Sequence, residues 1–309
     1  MEKEIQEMLL ELENDKSSGA NELISKVIKI LQKQLDLITD ERKDEKKLII
    51  ELAERIMDSR PSMAPLINTV GYIIADLEYF SKSTLSRRIA KFLEIKEQGE
   101  KQLKSNFISF MKQLLNRKTL IMTISYSSTI INLLKKLTDY DLELFILESR
   151  PLFEGRKTAE ILSSHFKTHL IVDAAMGKFM EKIDLVLLGI DSVLNDGSVI
   201  NKIGSFPLAT VAFENNKKCY ALGTSLKFNL KSYFNREIVI KDKEREEIYD
   251  RSINNKNLEI HNLYFDITPP KYIARIISDL GVLVPAEFVS KAKEILPLEW
   301  FRPFLINNH

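Results

Sequence analysis

The sequence predicts an α/β protein: a helical domain over residues 1–115, then a domain built on a mainly parallel sheet over residues 116–309. Three observations carry this reading. Apolar residues before Asn116 fall at helical spacing. After it come short runs rich in Ile, Val and Leu: TLIMTIS, ELFILES, HLIVD, DLVLLG and KCYALG. Helical stretches lie between most of these runs, the alternation expected of parallel strands joined by right-handed crossovers.

The helical part can be followed element by element. Ile5, Met8, Leu9 and Leu12 stand at i, i+3, i+4 and i+7, one face of a first helix. Ser17, Ser18 and Gly19 break that pattern. Leu23, Ile24, Val27, Ile28, Leu31 and Leu35 then mark a second amphipathic helix. The mixed-charge run DERKDEKK from Asp40 reads as a solvated face or helix turn. Further helices are expected around Leu48–Met57, Ala64–Ser81 and Ser86–Leu115, with Pro61 and Pro65 punctuating one gap.

In the second part, continuous apolar runs are the mark of strands buried on both faces. The charged stretch from Lys241 to Lys256 is expected to be a loop or exposed helix. NLYFDITPP reads as a further strand and turn, with Pro269 and Pro270 opening a helix through Ile277.

Composition is that of an ordinary globular protein, with 44% hydrophobic and 29% charged residues. The net charge of +1 gives no electrostatic reason to expect nucleic acid or an anionic membrane as partner. A single cysteine, Cys219, excludes an intramolecular disulfide and is expected to pack in the core. Four histidines (His165, His169, His261, His309), with no CxxC or HExxH, argue against a zinc site. His165 and His169 are read as solvated or capping residues at a helix-to-strand junction. The charged N-terminus lacks the apolar core of a signal peptide, and no stretch is apolar enough to span a bilayer. By default the expected location is cytoplasmic.

In open α/β sheets, ligands bind outside the carboxyl ends of the strands. Ser125, Tyr126, Ser127 and Ser128 follow the first run, and Glu148, Ser149 and Arg150 the second. Asp173 follows the third. After the fourth come Asp191, the turn Asn195–Asp196–Gly197, then Asn201 and Lys202. Thr224, Ser225 and Lys227 follow the fifth. Carboxylates, cations, hydroxyls and free helix-start amides in one cleft suit an anionic, hydroxylated ligand such as a sugar phosphate or nucleotide. Arg150 is the expected bidentate phosphate grip. Simpler roles also exist. Ser127 and Asp173 stand where N-caps stand, Asp196–Gly197 is a turn dipeptide, and Arg150–Pro151 would make a corner paired to Glu148.

No GxGxxG follows a strand, no GxxxxGK[ST] occurs, and there is no GxSxG elbow. Ser125 has no histidine nearby in sequence to activate it.

Four segments carry a family resemblance: ESRPLFEGRKTA, GIDSVLNDGSVINKIGSFPLA, TSLKF and FDITPPKYIARIISDLGVLVP. Together with RPSMAPLINTV from Arg60, they resemble the family that joins the alpha, beta and delta regulatory subunits of translation initiation factor 2B to two sugar-phosphate isomerases. Those enzymes act on ribose-1,5-bisphosphate and methylthioribose-1-phosphate. The resemblance implies a helical N-terminal domain, a Rossmann-like C-terminal domain, and dimers or larger rings built through the latter. It also implies a ligand cradle at Arg150, Asn201, Lys202 and Lys227. The isomerases carry a catalytic cysteine after the first strand and an aspartate within a motif like GAD. Here the first motif reads Met122–Thr123–Ile124–Ser125 and the second Gly189–Ile190–Asp191. An arginine before Gly-Ala in the isomerases is replaced by Ser18 before Gly19–Ala20.

A thiol with a pKa of about 8.5 exchanges protons near neutrality, whereas an aliphatic hydroxyl needs a partner base. The expectation is therefore a non-catalytic, regulatory-type protein that keeps a phosphate pocket and works through contacts with itself, as a homodimer or higher homo-oligomer, and with initiation factor 2. Its degenerate catalytic pair would be Asp191 and Ser125. Its ligand residues would be Arg150, Asn201, Lys202, Lys227 and Ser127, holding a small phosphate-containing ligand. No cofactor, metal, membrane or direct nucleic-acid contact is expected. The alternatives are an aldose–ketose isomerase with Asp191 as acid/base and Ser125 as hydrogen-bond partner, or a metabolite-sensing module.

Overall fold

The computed structural model describes residues 2–15, 18–38, 45–59, 63–74, 81–115, 117–236, 238–251 and 255–296. Five helices open the chain: α1 Lys3–Asn14, α2 Ala20–Asp36, α3 Glu45–Ser59, α4 Ala64–Ile74 and α5 Lys82–Leu114. Their apolar stripes are the reason they form and the reason they pack. Ile5, Leu9 and Leu12 of α1 are fully buried, as are Leu23, Val27 and Leu31 on one face of α2. Before α2, the Glu22 carboxylate accepts the Gly19 N–H at 3.3 Å, satisfying one orphan donor of the helix start. The start of the expected charged run, together with Arg60 and Pro61, lies outside the described residues, as do residues 75–80 and His309.

The 33-residue helix α5 joins the two parts. Ser81 caps it, its Oγ accepting the Thr84 N–H at 3.1 Å. Leu85, Ile89 and Phe92, in its first half, pack with α1 to α4. Leu103, Phe107 and Met111, in its second half, pack against the sheet through Ile121, Leu144 and Leu187. Burial of one such side chain contributes about 2 kcal/mol, so this helix welds the helical layer to one face of the sheet. Helix α4 is fastened as well: Asn68 Nδ2 donates to the Leu226 carbonyl at 2.7 Å and the Phe228 carbonyl at 2.9 Å.

Seven strands form the main sheet: β1 Thr119–Ile124, β2 Leu142–Leu147, β3 Lys167–Ile171, β4 Leu185–Gly189, β7 Lys218–Leu222, β9 Arg275–Ser278 and β10 Gly281–Leu283. Their order is β10-β9-β7-β4-β1-β2-β3, parallel except for the β9–β10 pair. Helices α6 Ser128–Leu134, α7 Glu154–Ser163, α8 Met176–Met180 and α9 Ser205–Glu214 make the crossovers. The all-buried β2 and β4 match their continuous apolar sequences. A second, antiparallel sheet holds β5 Ser192–Val193, β6 Val199–Lys202 and β8 Phe265–Thr268 in the order β5-β6-β8. A short helix α10 Leu230–Tyr233 and a final helix α11 Pro285–Ile295 complete the described chain.

Three sequence expectations need correction. The segment opened by Pro269 and Pro270 makes only a 3-10 turn, Pro270–Tyr272, and then becomes strand β9. Ile276 and Ile277 are fully buried there beside Ala221 and Leu222 of β7, and this pairing overrides any helical start at the prolines. Strand β3 is not buried on both faces: it is the sheet edge, and Leu170 is 48% exposed. His169 is neither solvated nor a cap. It stacks on Phe145 with ring centroids 4.4 Å apart, and its Nε2 lies 2.6 Å from Glu143 Oε1.

Candidate functional site

Strand order reverses between β1 and β4, with β2 and β3 to one side and β7 and β9 to the other. At such a switch point the crossovers diverge and leave a crevice beyond the strand ends. A cavity of about 370 Å³ lies there, lined from the ends of β1 and β4, from β6, and from the start of α2.

Ser125, just past β1, holds a left-handed backbone at φ 71°. Its N–H donates to Ser149 Oγ at 2.7 Å, and its carbonyl accepts Thr158 Oγ1 at 2.8 Å. Ser149 and Phe153, past β2, are also left-handed, at φ 69° and 59°. Three non-glycine residues in this sparsely populated region therefore crowd the β1 and β2 ends. Such strain persists only where the surroundings over-determine it. Ser127 caps α6, its Oγ accepting the Ile130 N–H at 3.3 Å. A Cβ on Gly189 would stand 3.2 Å from Ser127 Oγ and 3.3 Å from Asn201 Oδ1, so β1, β4 and β6 converge at this point. Asn201 Nδ2 donates to Ser205 Oγ at 2.9 Å. The Ser18–Gly19–Ala20 segment forms part of the same wall, and a Gly19 Cβ would lie 3.8 Å from Ser128 Oγ.

The charges are partly to fully buried and unequally paired. Lys202, 3% exposed, places Nζ 2.7 Å from Glu154 Oε1 and 5.2 Å from the centroid of the Tyr264 ring. Glu154 Oε2 is buried without a hydrogen-bond partner. Burial raises the Glu154 carboxyl pKa, and Lys202 opposes this. Burial also raises the pKa of Asp191, opposed by Lys227 and then Lys202. Burial lowers the pKa of the Lys227 ammonium, opposed by Asp191. Among the described residues, neither the Asp191 carboxylate nor the Lys227 ammonium has a side-chain hydrogen bond or an ion pair within 4.0 Å. Desolvated, unsatisfied groups of opposite sign in one cleft make this the candidate site.

Of the residues singled out from sequence, Ser125, Tyr126, Ser127, Ser128, Asp191, Asn201, Lys202 and Lys227 line this cavity. Arg150 does not. Its backbone N–H donates to Asp173 at 2.7 Å, its Nη2 donates to the Glu247 carbonyl at 3.2 Å, and its guanidinium lies 4.9 Å from the Phe153 ring centroid. Asp173 is no helix cap: its carboxylate takes the N–H groups of Ser149 and Arg150 and so fixes the turn after β2. Glu148 pairs with Arg156 at 3.0 Å and not with Arg150. Ser225 gives both its N–H and its hydroxyl to Asp279, at 2.6 and 2.7 Å. Thr224 lies outside the cavity wall, as does the Asn195–Asp196–Gly197 turn, which closes the β5–β6 hairpin. Cys219 is buried in β7, and burial pushes its thiol pKa up, so it remains protonated. His165, His169 and His261 do not line the cavity. Among the described residues, no group of three or more His, Cys, Asp or Glu is placed to hold a metal ion.

Sequence reasoning missed Glu154, Tyr264 and Lys243 as wall residues. Glu154 opens α7, where Gly155 packs so closely that a Cβ would sit 1.8 Å from the Leu147 carbonyl oxygen. The strand–turn–Glu–Gly pattern was the available signal. Tyr264 and Lys243 reach the site only through the tertiary fold.

A doubly wound sheet, a packed helical N-terminal layer and a charged pocket at the switch point define a Rossmann-like α/β protein. The chain belongs to the Initiation factor 2 subunit family, whose sequence model matches residues 16–285. It is similar to a translation initiation factor eIF-2B subunit 2-like protein of Pyrococcus furiosus, with 30% identity over 284 residues, covering 90% of this chain and 95% of that one. It is also similar to the ribose 1,5-bisphosphate isomerase of Archaeoglobus fulgidus, with 27% identity over 281 residues, covering 86% and 85%. Among solved structures, the translation initiation factor eIF-2B of Pyrococcus horikoshii OT3 superposes with a TM-score of 0.79 at 26% identity, covering 94% of this chain and 100% of that one. Among the described residues no helix is long and apolar enough to cross a membrane.

Proposed function

We propose that this protein is a regulatory-type relative of the initiation factor 2B subunits that binds a small phosphorylated ligand, of the sugar-phosphate class, without turning it over. It acts in the cytoplasm through contacts with a second copy of itself, as a homodimer or higher homo-oligomer, and with initiation factor 2. The observation that carries this reading is Ser125. Its backbone is clamped by Ser149 and Thr158. Its hydroxyl stands where the isomerases resembled by this chain carry a thiol, and among the described residues no histidine lines the cavity to take its proton. Binding itself remains well served. Buried Lys202, the unpaired Lys227 ammonium and the amides at the start of α6 supply positive potential to an anion.

The test is an isomerase assay with ribose-1,5-bisphosphate and methylthioribose-1-phosphate, run beside calorimetric titration of the same compounds. Binding without turnover is expected. Robust turnover that Asp191→Asn abolishes would overturn the non-catalytic reading.

One observation favours a second reading. Asp191 is desolvated and free of side-chain partners, the state of a carboxylate poised for proton transfer, and the chain resembles a ribose 1,5-bisphosphate isomerase over most of its length. On that reading Asp191 is the acid/base and Ser125 a hydrogen-bonding partner. Loss of activity in both Asp191→Ala and Ser125→Ala would support it, and an unchanged rate in both would remove it.

A further inference from the structure

The charged stretch Lys241–Lys256 is expected to be a loop or exposed helix, and residues 238–251, which include its first part, do more than connect. Lys241, Lys243 and Glu244 line the cavity, and the segment's regular structure is a single 3-10 turn, Arg245–Glu247. Most of its side chains are exposed, so it has no core of its own. Among the described residues, hydrogen bonds to groups leading into β8 help to fasten it. Asn262, fully buried, accepts the Lys243 N–H on its carbonyl at 2.8 Å. Its side-chain amide donates to the Glu244 carbonyl at 2.7 Å and to Glu247 Oε2 at 2.8 Å. The Tyr264 hydroxyl donates to the Glu247 carboxylate, 2.7 Å from either oxygen. Arg150 Nη2 holds the Glu247 carbonyl. Burial and then Glu247 raise the Tyr264 hydroxyl pKa, which keeps it a donor.

The Tyr264 ring links this fastening to the cavity. Its centroid lies 5.2 Å from Lys202 Nζ and 5.6 Å from Lys243 Nζ. One aromatic ring therefore sits against a lysine from the strand-end site and a lysine from the segment, while its hydroxyl grips Glu247.

We infer that residues 238–251 form a strap that closes one wall of the ligand cavity, that Lys243 is an anion-contacting residue of that wall, and that Glu247 is the positioning residue latching it through Tyr264 and Asn262. The inference rests on the cavity being a phosphate site, as proposed above. A loop whose side chains are mostly exposed opens locally at low cost. An anion bridging Lys202 and Lys243 makes both contacts only while the latch is closed, and so shifts the strap toward that state.

Two measurements test this on the full-length protein. The first is hydrogen exchange without ligand. In Glu247→Ala and in Tyr264→Phe, exchange over 241–251 is expected to rise about tenfold, with Thr119–Ile124 and Leu185–Gly189 unchanged. Unaltered strap exchange in both variants overturns the latch. The second is calorimetric titration with ribose 5-phosphate. Lys243→Ala and Glu247→Ala are each expected to weaken binding about tenfold, with less than about threefold further loss when Glu247→Ala is added to Lys243→Ala. Fully additive losses would make Glu247 merely structural and overturn its positioning role. If the wild-type protein takes up no ribose 5-phosphate, the cavity reading and the Lys243 assignment both fall, while the exchange comparison still decides the latch.

Discussion

Asp191 and Lys227 share one cavity without closing an ion pair, and each opposes in the other the effect of burial. Lys227 is pushed toward its neutral form by desolvation, yet its charge is what an anion would meet. Lys227→Met is therefore expected to weaken ribose 5-phosphate binding about tenfold or more, about 1.4 kcal/mol or more. Because the ammonium pKa is lowered, wild-type affinity should fall on the alkaline side earlier than for an ordinary lysine. Arg150→Ala provides the contrast. Its guanidinium does not line the cavity and reaches the strap through one 3.2 Å bond to the Glu247 carbonyl, so its loss should cost less than that of Lys227. Isothermal titration of both variants between pH 7 and 10 checks the pair, and a larger effect at Arg150 would contradict this geometry.

Glu143 anchors the far end of the sheet. Its carboxylate meets Lys118 on β1's approach, then His169 and Lys167 on β3, and these partners hold its pKa down at about 2. A folded-state pKa below the unfolded value gives stability that is present above the unfolded pKa and lost as pH falls through the folded one. The lysines are largely exposed, which screens the effect. Glu143→Gln should cost about 1–2 kcal/mol at pH 7, with the difference from wild type shrinking toward pH 2. Urea denaturation at pH 7 and pH 3 measures it.

Asp266 should show the opposite sign. Its Oδ2 accepts the N–H groups of Gly204 and Phe206 at the start of α9, but burial dominates and raises its pKa to about 6. Here the folded state binds a proton more tightly than the unfolded chain, so stability is lost as pH rises through about 6. Asparagine caps helices as well as aspartate and carries no charge. Asp266→Asn should therefore match wild type near pH 4 and exceed it by about 2 kcal/mol at pH 7. A melting-temperature series across that range decides the matter, and equal pH dependence of the two proteins would refute it.

These pairings also show what the sequence could and could not carry. Strands β1, β2, β4 and β7 were legible because burial on both faces leaves an unbroken apolar run. The edge position of β3 was not, since an edge is defined by what fails to pair with it. Strand β9 is not legible because a four-residue strand with only two apolar residues, Ile276 and Ile277, following two prolines carries no period to arbitrate. At the site, residues one or two positions past a central strand, such as Ser125 and Asp191, do line the cavity. Arg150, three positions past the end of β2, is turned away by the Asp173 clamp. That clamp joins residues 23 apart and leaves no local trace. The strap over 238–251 has charge but no periodicity, so only its long-range bonds to Asn262 and Tyr264 reveal it.

Gly155 ties strand, helix and site together in one residue. Helix α7 begins at Glu154, directly over the end of β2, and the approach is so close that an added methyl would lie 1.8 Å from the Leu147 carbonyl oxygen and 2.9 Å from Ser149 Oγ. The obstacle is backbone of a fully buried central strand, which cannot swing aside as a flexible side chain would. Gly155→Ala must therefore push α7 away from β2, at a cost of about 3 kcal/mol or more, the upper range for overpacking. The shift would act on the site as well, because Glu154 is the ion-pair partner of Lys202 and the neighbour in sequence of the displaced residue. If α7 lifts, Lys202 loses the carboxylate that orients it, and ribose 5-phosphate affinity should fall even at temperatures where the variant is folded. Thermal melts together with titration well below the melting point separate the two effects. A variant that folds with wild-type stability would show that the β2–α7 contact is looser than the geometry states.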